Sequence, residues 1–424
     1  MNRTRSRALY ERARGLMPGG VSSPVRAYDP YPTYITRARG SRLWDVDENE
    51  LIDCCMGFGP LILGHAHPAV VEAVREQAGK GMLYGAPIEQ EVELAELVRK
   101  HHPNMEMMRF VSSGTEATMH AIRLARGATG RKLIVKMEGC FHGAHDSVLV
   151  RAGSGATTHS SPDSAGVPEE AAANTLLVPF NDISAVERAL IENRDRVAAV
   201  ILEPVMGNVG PVLPNEGYLE QLRELTLEHG VLLIFDEVIT GFRLAMGGAR
   251  SYFNVEPDIT TLGKVLGGGL PIGAFGASEG LMSHISPLGK VYQAGTFSGN
   301  PLSLSAGLAA VRTLEREGHQ ELGRRGEIMR EGLARIIQER GLPYQVAGVG
   351  SMFQLFMTDR PVRNYRDALT SDTRTFMRLF HALLERGVYI PPSQFETCFL
   401  STAHSDDDVR RMIKAYDDAL GALE

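Results

Sequence analysis

Three strand-like segments, two of them continuously apolar, that are each followed by a charged side chain constrain the fold of this chain most strongly. They span residues 197–202, 231–235 and 258–263 and are followed directly by Glu203, Asp236 and Lys264. Short apolar runs that alternate with helical stretches are typical of parallel strands buried on both faces. The sequence therefore predicts an α/β protein with a mainly parallel, doubly wound sheet, in which the strand ends mark a site.

Lys264 and Asp236 together indicate pyridoxal phosphate. This cofactor needs a lysine amine that holds its aldehyde as a Schiff base, and a carboxylate that faces the ring nitrogen. Lys264 and Asp236 could fill these two roles. A lysine before the glycine cluster at 267–269 is also a common solvated turn residue, so other parts of the chain must support the assignment.

A Ser-Gly-Thr turn, residues Ser113 to Thr115, joins the apolar run 108–111 to a helical stretch at 117–128. N–H groups and hydroxyls at the first turn of a helix would hold a phosphate dianion. Ordinary helix capping explains the same pattern, because Ser or Thr before Glu is a common N-cap. The surroundings of Lys264 lack the Gly spacing and following Ser or Thr of a nucleotide-binding P-loop, which argues against a nucleoside triphosphatase.

A further buried strand is predicted at 132–135, and it leads into Phe141 and His142. Phe141 offers an aromatic face for stacking on a cofactor ring, although a place in the core would suit it equally. His142, His145 and Asp146 lack the spacing of known metal ligands, so no metal is predicted. The residues expected to converge at the strand ends are Ser113, Phe141, Glu203, Asp236 and Lys264.

Several segments together resemble the glutamate-1-semialdehyde 2,1-aminomutases, a family within the class III aminotransferase-like group of fold-type I pyridoxal phosphate proteins. Motifs of the general class are SGTEA at 113–117, DEV at 236–238, TGFR at 240–243 and TLGK at 261–264. Segments more selective for the aminomutases are SSPVR at 22–26, EPVMGN at 203–208, GTFSGNP at 295–301 and PSQFE at 392–396. The similarity extends from about Tyr10 to the last helix.

The resemblance implies a cofactor that alternates between pyridoxal 5'-phosphate and pyridoxamine 5'-phosphate. Lys264 would bond it covalently, and Asp236 would contact the ring nitrogen. Thr296 would reach the phosphate in a neighbouring subunit, which implies a homodimer. The other implied cofactor-binding residues surround the ring and the phosphate: Ser113, Gly114, Thr115, Phe141, His142, Asn208 and Val238.

For the substrate, the resemblance implies contacts from Ser23, Arg26, Glu203 and Glu396. Arg26 would anchor a carboxylate with its planar fork of donors. Glu396 would repel the α-carboxylate of an incoming amino acid and so favour an amino aldehyde. The implied reaction converts (S)-4-amino-5-oxopentanoate to 5-aminolevulinate through bound 4,5-diaminovalerate, in tetrapyrrole (porphyrin) biosynthesis. Transient contact with glutamyl-tRNA reductase is a family-level expectation.

Two other classes of function stay open. An intermolecular class III aminotransferase, acting on an amino acid and a keto acid, would use the same Lys264 and Asp236 and would differ around Arg26 and Glu396. A non-catalytic cofactor-binding protein could keep the fold. Three departures from the family pattern affect details of the site: phenylalanine at Phe58 in place of a common tryptophan, phenylalanine at Phe141 in place of a common tyrosine, and a reversed order at Ala144-His145.

Three regions are predicted: an N-terminal arm over 1–55, a large cofactor-binding domain over 56–310 and a small α+β domain over 311–424. Residues 151–174, rich in Ser, Thr and Ala and interrupted by Gly and Pro, are interpreted as a lid over the site, with a surface insert as the alternative. Helices are predicted over 4–16, 218–229, 306–317, 324–340 and 406–423, a hairpin-like stretch up to Asp53, and a strand over 351–356.

Composition agrees with a globular α/β protein of more than one core. The chain has 424 residues, of which 43% are hydrophobic. A net charge of -7 with both signs interspersed gives no basis for a nucleic-acid or membrane surface, and no apolar run approaches a membrane span. The four cysteines form no ligand-spaced cluster and are few for a secreted scaffold, so a cytoplasmic location is predicted.

Overall fold

A computed structural model describes residues 1–151 and 161–423. The strands of this part are β1 Ile35–Arg39, β2 Arg42–Asp45, β3 Glu50–Asp53, β4 Met107–Val111, β5 Leu133–Met137, β6 Val150–Arg151, β7 Ser161–Pro162, β8 Thr175–Val178, β9 Val197–Leu202, β10 Leu232–Asp236, β11 Ile259–Gly263, β12 Gly273–Ala277, β13 Gln345–Val349, β14 Met352–Phe356, β15 Val388–Tyr389 and β16 Cys398–Phe399.

The helices of the same part are α1 Thr4–Ala13, α2 Pro68–Lys80, α3 Glu89–His101, α4 Gly114–Thr129, α5 Glu169–Ala172, α6 Ile183–Glu192, α7 Tyr218–Glu228, α8 Gly248–Phe253, α9 Glu279–Met282, α10 Pro301–Glu317, α11 Gln320–Arg340, α12 Tyr365–Ala368, α13 Thr373–Glu385 and α14 Asp406–Gly421. Short 3₁₀ turns lie at Pro18–Gly20, Pro24–Arg26 and Lys264–Gly267. None of the described helices is long and apolar enough to cross a membrane.

A seven-stranded sheet forms the centre of the fold, in the order β4-β12-β11-β10-β9-β5-β8. Strand β12 runs antiparallel to its two neighbours, and every other pair in the sheet is parallel. Strands β5, β9, β11 and β12 are buried along their whole length, as expected of a sheet that is covered on both faces. The prediction of a mainly parallel sheet is confirmed.

Helices cover both faces of this sheet, as alternate side chains of β9 show. Val200 and Leu202 pack into a core cluster that includes residues of α6 and α7. Ala199 and Ile201 point to the opposite face and pack with residues of α4. With both faces buried, the carboxyl ends of the strands remain available for a ligand.

The N-terminal strands belong to a separate sheet, in the order β1-β2-β3-β15. Strand β15 comes from the C-terminal third of the chain and pairs parallel to β3. A three-stranded sheet, β13-β14-β16, lies in the same C-terminal third. The arm is thus hydrogen-bonded to the C-terminal region, while the three-part division of the chain stays a prediction.

The predicted helices occur, with ends that local capping shifts. Helix α10 begins at Pro301 instead of 306, because Asn300 caps it by accepting from Leu302 N and Ser303 N at 3.0 and 3.3 Å and because Pro suits the first helical position.

The proposed lid at 151–174 includes residues 152–160, which lie outside the described residues. Next to them, β6 and β7 pair antiparallel.

Candidate active site

A cavity of about 420 Å³ opens at the carboxyl ends of the central strands. Asp236 is the last residue of β10 and lies in register with Thr261 of β11, and Lys264 follows the end of β11. We call this space the inner cavity. Among the residues that line it are ten of those predicted from the sequence: Ser113, Gly114, Thr115, Phe141, His142, Glu203, Asn208, Asp236, Val238 and Lys264.

Three donors fix the carboxylate of Asp236. Oδ1 accepts from Val238 N at 3.1 Å and from Thr261 Oγ1 at 3.0 Å, and Oδ2 lies 2.7 Å from His142 Nδ1. Burial lowers the pKa of His142, although the hydrogen bond to Asp236 opposes this. A neutral ring that donates from Nδ1 leaves Nε2 as an acceptor, and Nε2 is buried with no hydrogen-bond partner in the described structure.

The Ser-Gly-Thr turn serves as the N-terminus of α4. Ser113 caps the helix by accepting from Glu116 N at 3.1 Å, so the turn does have the helix-capping role that the sequence suggested. The same turn lines the inner cavity, and the first N–H groups of a helix have no acceptor within the helix. A Cβ on Gly114 would lie 3.1 Å from Val238 Cγ1, so a side chain there would press on the cavity wall. The turn can therefore bind an anion.

Glu203 holds the opposite wall through its carboxylate. Oε1 accepts from Phe141 N at 2.8 Å, and Oε2 accepts from Gly207 N at 2.9 Å and Asn208 Nδ2 at 3.0 Å. Burial, aided by the nearby Asp236, raises the pKa of Glu203 to about 7. These contacts position Phe141, which is half exposed. The predicted contact of Glu203 with a substrate stays a prediction.

A second cavity of about 710 Å³ adjoins the first, and we call it the outer cavity. Phe141, Asn208 and Lys264 line both spaces, so Lys264 stands where the two meet. Burial lowers the pKa of Lys264, against the opposing effect of the surrounding carboxylates of Glu203, Asp236 and Glu396. Such an amine can exchange protons with a molecule in either cavity.

Glu396 and Ser23 line the outer cavity, together with Phe58. Burial raises the pKa of Glu396 to about 7, while Lys264 opposes the rise. Arg26 and Thr296 are exposed and line neither the inner nor the outer cavity, although Val25, next to Arg26, lines the outer one. The roles of Arg26 and Thr296 stay predictions.

Sequence reasoning gave no role to several residues that shape the site. The hydroxyl of Thr261 donates a hydrogen bond to the carboxylate of Asp236. The register of β10 with β11, two neighbouring parallel strands in which Asp236 and Thr261 lie side by side, was the sequence signal that could have revealed this contact. Arg366 forms two hydrogen bonds of 2.8 Å to Glu138 at the wall of the outer cavity. No local signal could reveal that pair, because tertiary folding alone joins residues so distant in the chain.

The residues of the inner cavity fit a ring that carries a phosphate. The Ser-Gly-Thr turn provides donors for an anion, and the Asp236 carboxylate lines the space. Nε2 of His142, which also lines it, has no hydrogen-bond partner among the described residues. Among the described residues, no group of three or more His, Cys, Asp and Glu side chains could hold a metal ion.

A family model described as aminotransferase class-III matches residues 24–420. Glutamate-1-semialdehyde 2,1-aminomutase of Methanothrix thermoacetophila is 56% identical over 98% of this chain and 96% of that protein. The protein of the same name from Methanocaldococcus jannaschii is 53% identical over 99% of each.

Solved structures are similar along the whole chain. An omega-transaminase from Sphaerobacter thermophilus matches with a TM-score of 0.94 at 36% identity, covering 100% of both chains. A glutamate-1-semialdehyde-aminomutase from Pseudomonas aeruginosa in complex with PMP matches with a TM-score of 0.90 at 28% identity, covering 99% of this chain and 95% of that one. The predicted fold, type I of the pyridoxal phosphate proteins, is confirmed.

Proposed function

The chain belongs to the class III aminotransferase family, and on that premise we propose that it converts (S)-4-amino-5-oxopentanoate, glutamate 1-semialdehyde, to 5-aminolevulinate through bound 4,5-diaminovalerate. This is an isomerase reaction of tetrapyrrole (porphyrin) biosynthesis. One observation of the site carries the proposal: Glu396 lines the outer cavity together with Lys264. A carboxylate at this place disfavours an amino acid with a charged α-carboxylate and admits an amino aldehyde.

The inner cavity holds the cofactor. Pyridoxal 5'-phosphate, or its pyridoxamine form, supplies the electron sink and carries the amine when bound. In the proposed arrangement Lys264 bonds the cofactor, and Asp236 faces the ring nitrogen while His142 and Thr261 hold its carboxylate. Ser113, Gly114 and Thr115 bind the phosphate, and Val238, Phe141 and Asn208 enclose the ring.

Lys264 moves protons in the proposed mechanism. To accept a proton from a substrate carbon, its Nζ must be neutral, and burial favours the neutral form. Lys264 lines both the inner and the outer cavity, which supports a position of the amine beside both the cofactor and the substrate. Lys264 therefore acts as the general acid and base, taking a proton at one carbon and returning it at another.

The outer cavity holds the substrate. Ser23 lines it, and the neighbour of Arg26 in the chain, Val25, lines it too, which supports Arg26 as the proposed anchor of the substrate carboxylate. Glu203 is the remaining proposed substrate contact; it lines the inner cavity and binds Phe141 and Asn208, which line both spaces. Because the diamine must stay bound between the two halves of the reaction, residues 151–174 are proposed as its cover.

A homodimer completes the proposed site, with Thr296 of one copy at the phosphate of the other. The surroundings of Thr296 support this, because Tyr292 and Phe297 are 68% and 58% exposed and would be covered by a second copy. Thr296→Ala should weaken cofactor binding; unchanged cofactor retention and dimer assembly would contradict the shared site.

We also propose a cytoplasmic location and transient contact with glutamyl-tRNA reductase.

An intermolecular aminotransferase is the second candidate. The high structural similarity to an omega-transaminase favours it, since the inner cavity serves either reaction equally. The two functions differ in whether the amine returns to the same carbon skeleton. The test must therefore ask whether an outside amino donor is needed.

The deciding experiment supplies pyridoxamine-form enzyme with glutamate 1-semialdehyde alone, with no amino donor or keto acid, and measures 5-aminolevulinate over many turnovers. Sustained formation that disappears in Lys264→Ala is expected. A single turnover that stalls until a donor is added would mean an aminotransferase, and the interpretation of Glu396 would then be wrong.

A further inference from the structure

A strained turn forms part of the outer cavity. Met56, Gly57, Phe58 and Gly59 have consecutive positive φ angles of 48°, 65°, 66° and 109°. Met56 and Phe58 carry side chains that disfavour this left-handed region, so the surrounding structure must hold the turn in place. Phe58 lines the outer cavity. The strain is thus located at the substrate side of the site.

Arg243 holds this turn from behind. Its Nη2 donates to Gly59 O at 2.5 Å, and its Nη1 donates to Ser351 Oγ at 2.9 Å and to Leu400 O at 3.2 Å. The guanidinium carbon also lies 4.8 Å from the centre of the Phe399 ring. One side chain therefore joins three segments that are far apart in sequence.

The charge of Arg243 has no carboxylate partner among the described residues. The side chain is 1% exposed, and burial lowers its pKa to about 9. A buried cation that is bonded only to neutral oxygens costs stability compared with an apolar side chain of the same volume. A benefit at the adjacent site would explain this arrangement.

Lys264 is the adjacent group. A Cβ placed on Gly59 would lie 3.2 Å from Phe399 Cζ and 3.6 Å from Lys264 Cδ, so the turn, the ring and the lysine stem are packed together. Lys264 itself has a positive φ of 44°. Movement of the turn would therefore change the space around the lysine stem.

We propose that Arg243 is a positioning residue for Lys264, clamping the turn 56–59 and the Phe399 ring against the lysine stem and keeping Phe58 at the substrate. The inference rests on the proposed role of Lys264 as the proton carrier. The four charged groups that bear on the amine are Glu203, Asp236 and Glu396, which favour its protonated form, and Arg243, which opposes it. Arg243 thus acts on Lys264 through contact and through charge.

Two variants separate contact from charge. Arg243→Met removes the charge and keeps an unbranched side chain, and Arg243→Lys keeps a charge without the fork that reaches Gly59, Ser351 and Leu400 together. Arg223→Met is the matched control, because Arg223 binds Asp258, at the far end of β11 from Lys264, with two hydrogen bonds of 2.7 and 3.0 Å. Ser351→Ala, which removes one acceptor, tests the clamp if either Arg243 variant fails to fold.

The first readout is the pH dependence of Lys264 acylation in the cofactor-free protein, followed by peptide mass spectrometry. Arg243→Met should raise the pKa of Lys264 by roughly 0.5 to 1, whereas Arg243→Lys and Arg223→Met should leave it close to the parent value. A parent-like titration in Arg243→Met, with only a loss of unfolding stability, would overturn the role of the charge.

The second readout is steady-state kinetics of the cofactor-loaded enzyme. Arg243→Lys and Ser351→Ala should raise KM for the amino aldehyde about threefold to tenfold, because Phe58 is no longer held. A KM unchanged in both would overturn the clamp. Acylation needs no substrate, so a protein that shows the pKa change but no sustained turnover would refute the proposed function and leave the inference on Arg243 standing.

Discussion

His142 Nδ1 lies 2.7 Å from Asp236 Oδ2, and both side chains are buried at the floor of the inner cavity. This contact, with the bonds from Thr261 Oγ1 and Val238 N, uses both oxygens of the carboxylate. A carboxylate fixed by three donors cannot turn away from the cavity without breaking at least one bond. The orientation of Asp236 is therefore set by contacts within the protein itself.

Replacing Asp236 should reduce turnover more than it affects the fold. Asp236→Asn keeps the shape of the side chain but removes the negative charge that would stabilise a protonated ring nitrogen. We expect kcat for 5-aminolevulinate formation to fall by at least roughly 100-fold. Thr261→Val, which removes one of the three donors, is the graded control and should cost roughly fivefold. Asparagine activity within tenfold of the parent would contradict the proposed contact.

Ser113→Ala and Asp182→Ala form a matched pair of cap deletions. Ser113 caps α4 at the inner cavity, and Asp182 caps α6 through Ala185 N at 2.9 Å, away from the residues that line it. Each change should reduce the free energy of unfolding of the cofactor-free protein by about 1 kcal/mol.

Only Ser113→Ala should also weaken cofactor binding, by roughly tenfold, because its hydroxyl is proposed to contact the phosphate. Equilibrium titration with pyridoxal 5'-phosphate measures this difference. Equal affinities of the two variants for pyridoxal 5'-phosphate would mean that Ser113 caps the helix but does not bind the phosphate.

The central sheet could be predicted from the sequence because its buried strands carry continuous apolar runs that end in charged residues, as at Leu202-Glu203. The ends of helices were harder to predict from the sequence. Helix α10 reaches back to Pro301 because the side chain of Asn300 caps it, and a pattern of apolar residues does not register a cap.

The residues of the site that lie at strand ends could also be predicted from the sequence, since parallel strands bring their carboxyl ends to one edge. Contacts that depend on tertiary folding could not be predicted in this way. The clamp from Arg243 to Ser351 and Leu400 joins segments whose approach no local pattern encodes. Its significance follows from the burial of Arg243 together with the lack of a carboxylate partner among the residues that the structure describes.

Protonation of Glu396 should change the selectivity of the outer cavity. Its pKa is raised to about 7 by burial, so its charge is present above pH 7 and is lost as the pH falls below that value. Because the charge repels an α-carboxylate, conversion of the pyridoxal form by L-glutamate should become up to roughly tenfold faster between pH 8 and pH 6.

Glu396→Gln is the matched variant, since it has no charge to lose. Its single-turnover rate with L-glutamate should be high at pH 8 and should not rise further on acidification in the way the parent rate does. Cofactor absorbance follows this half-reaction directly. The same pH response in both proteins would assign the effect to another group.

Glu237 should make stability depend on pH without any part in the chemistry. It is fully buried and accepts from Ala249 N, Arg250 N and Thr240 Oγ1, and burial raises its pKa to about 7 from an ordinary 4.5. Between these two values the folded state binds more protons than the unfolded state, so the contribution of Glu237 to stability falls as the pH rises.

Relative to Glu237→Gln, the parent should lose about 2 to 3 kcal/mol of unfolding free energy between pH 5 and pH 8. Denaturant unfolding of both cofactor-free proteins measures this difference, and a stability gap that is equal at the two pH values would show that Glu237 stays ionised in the folded protein throughout.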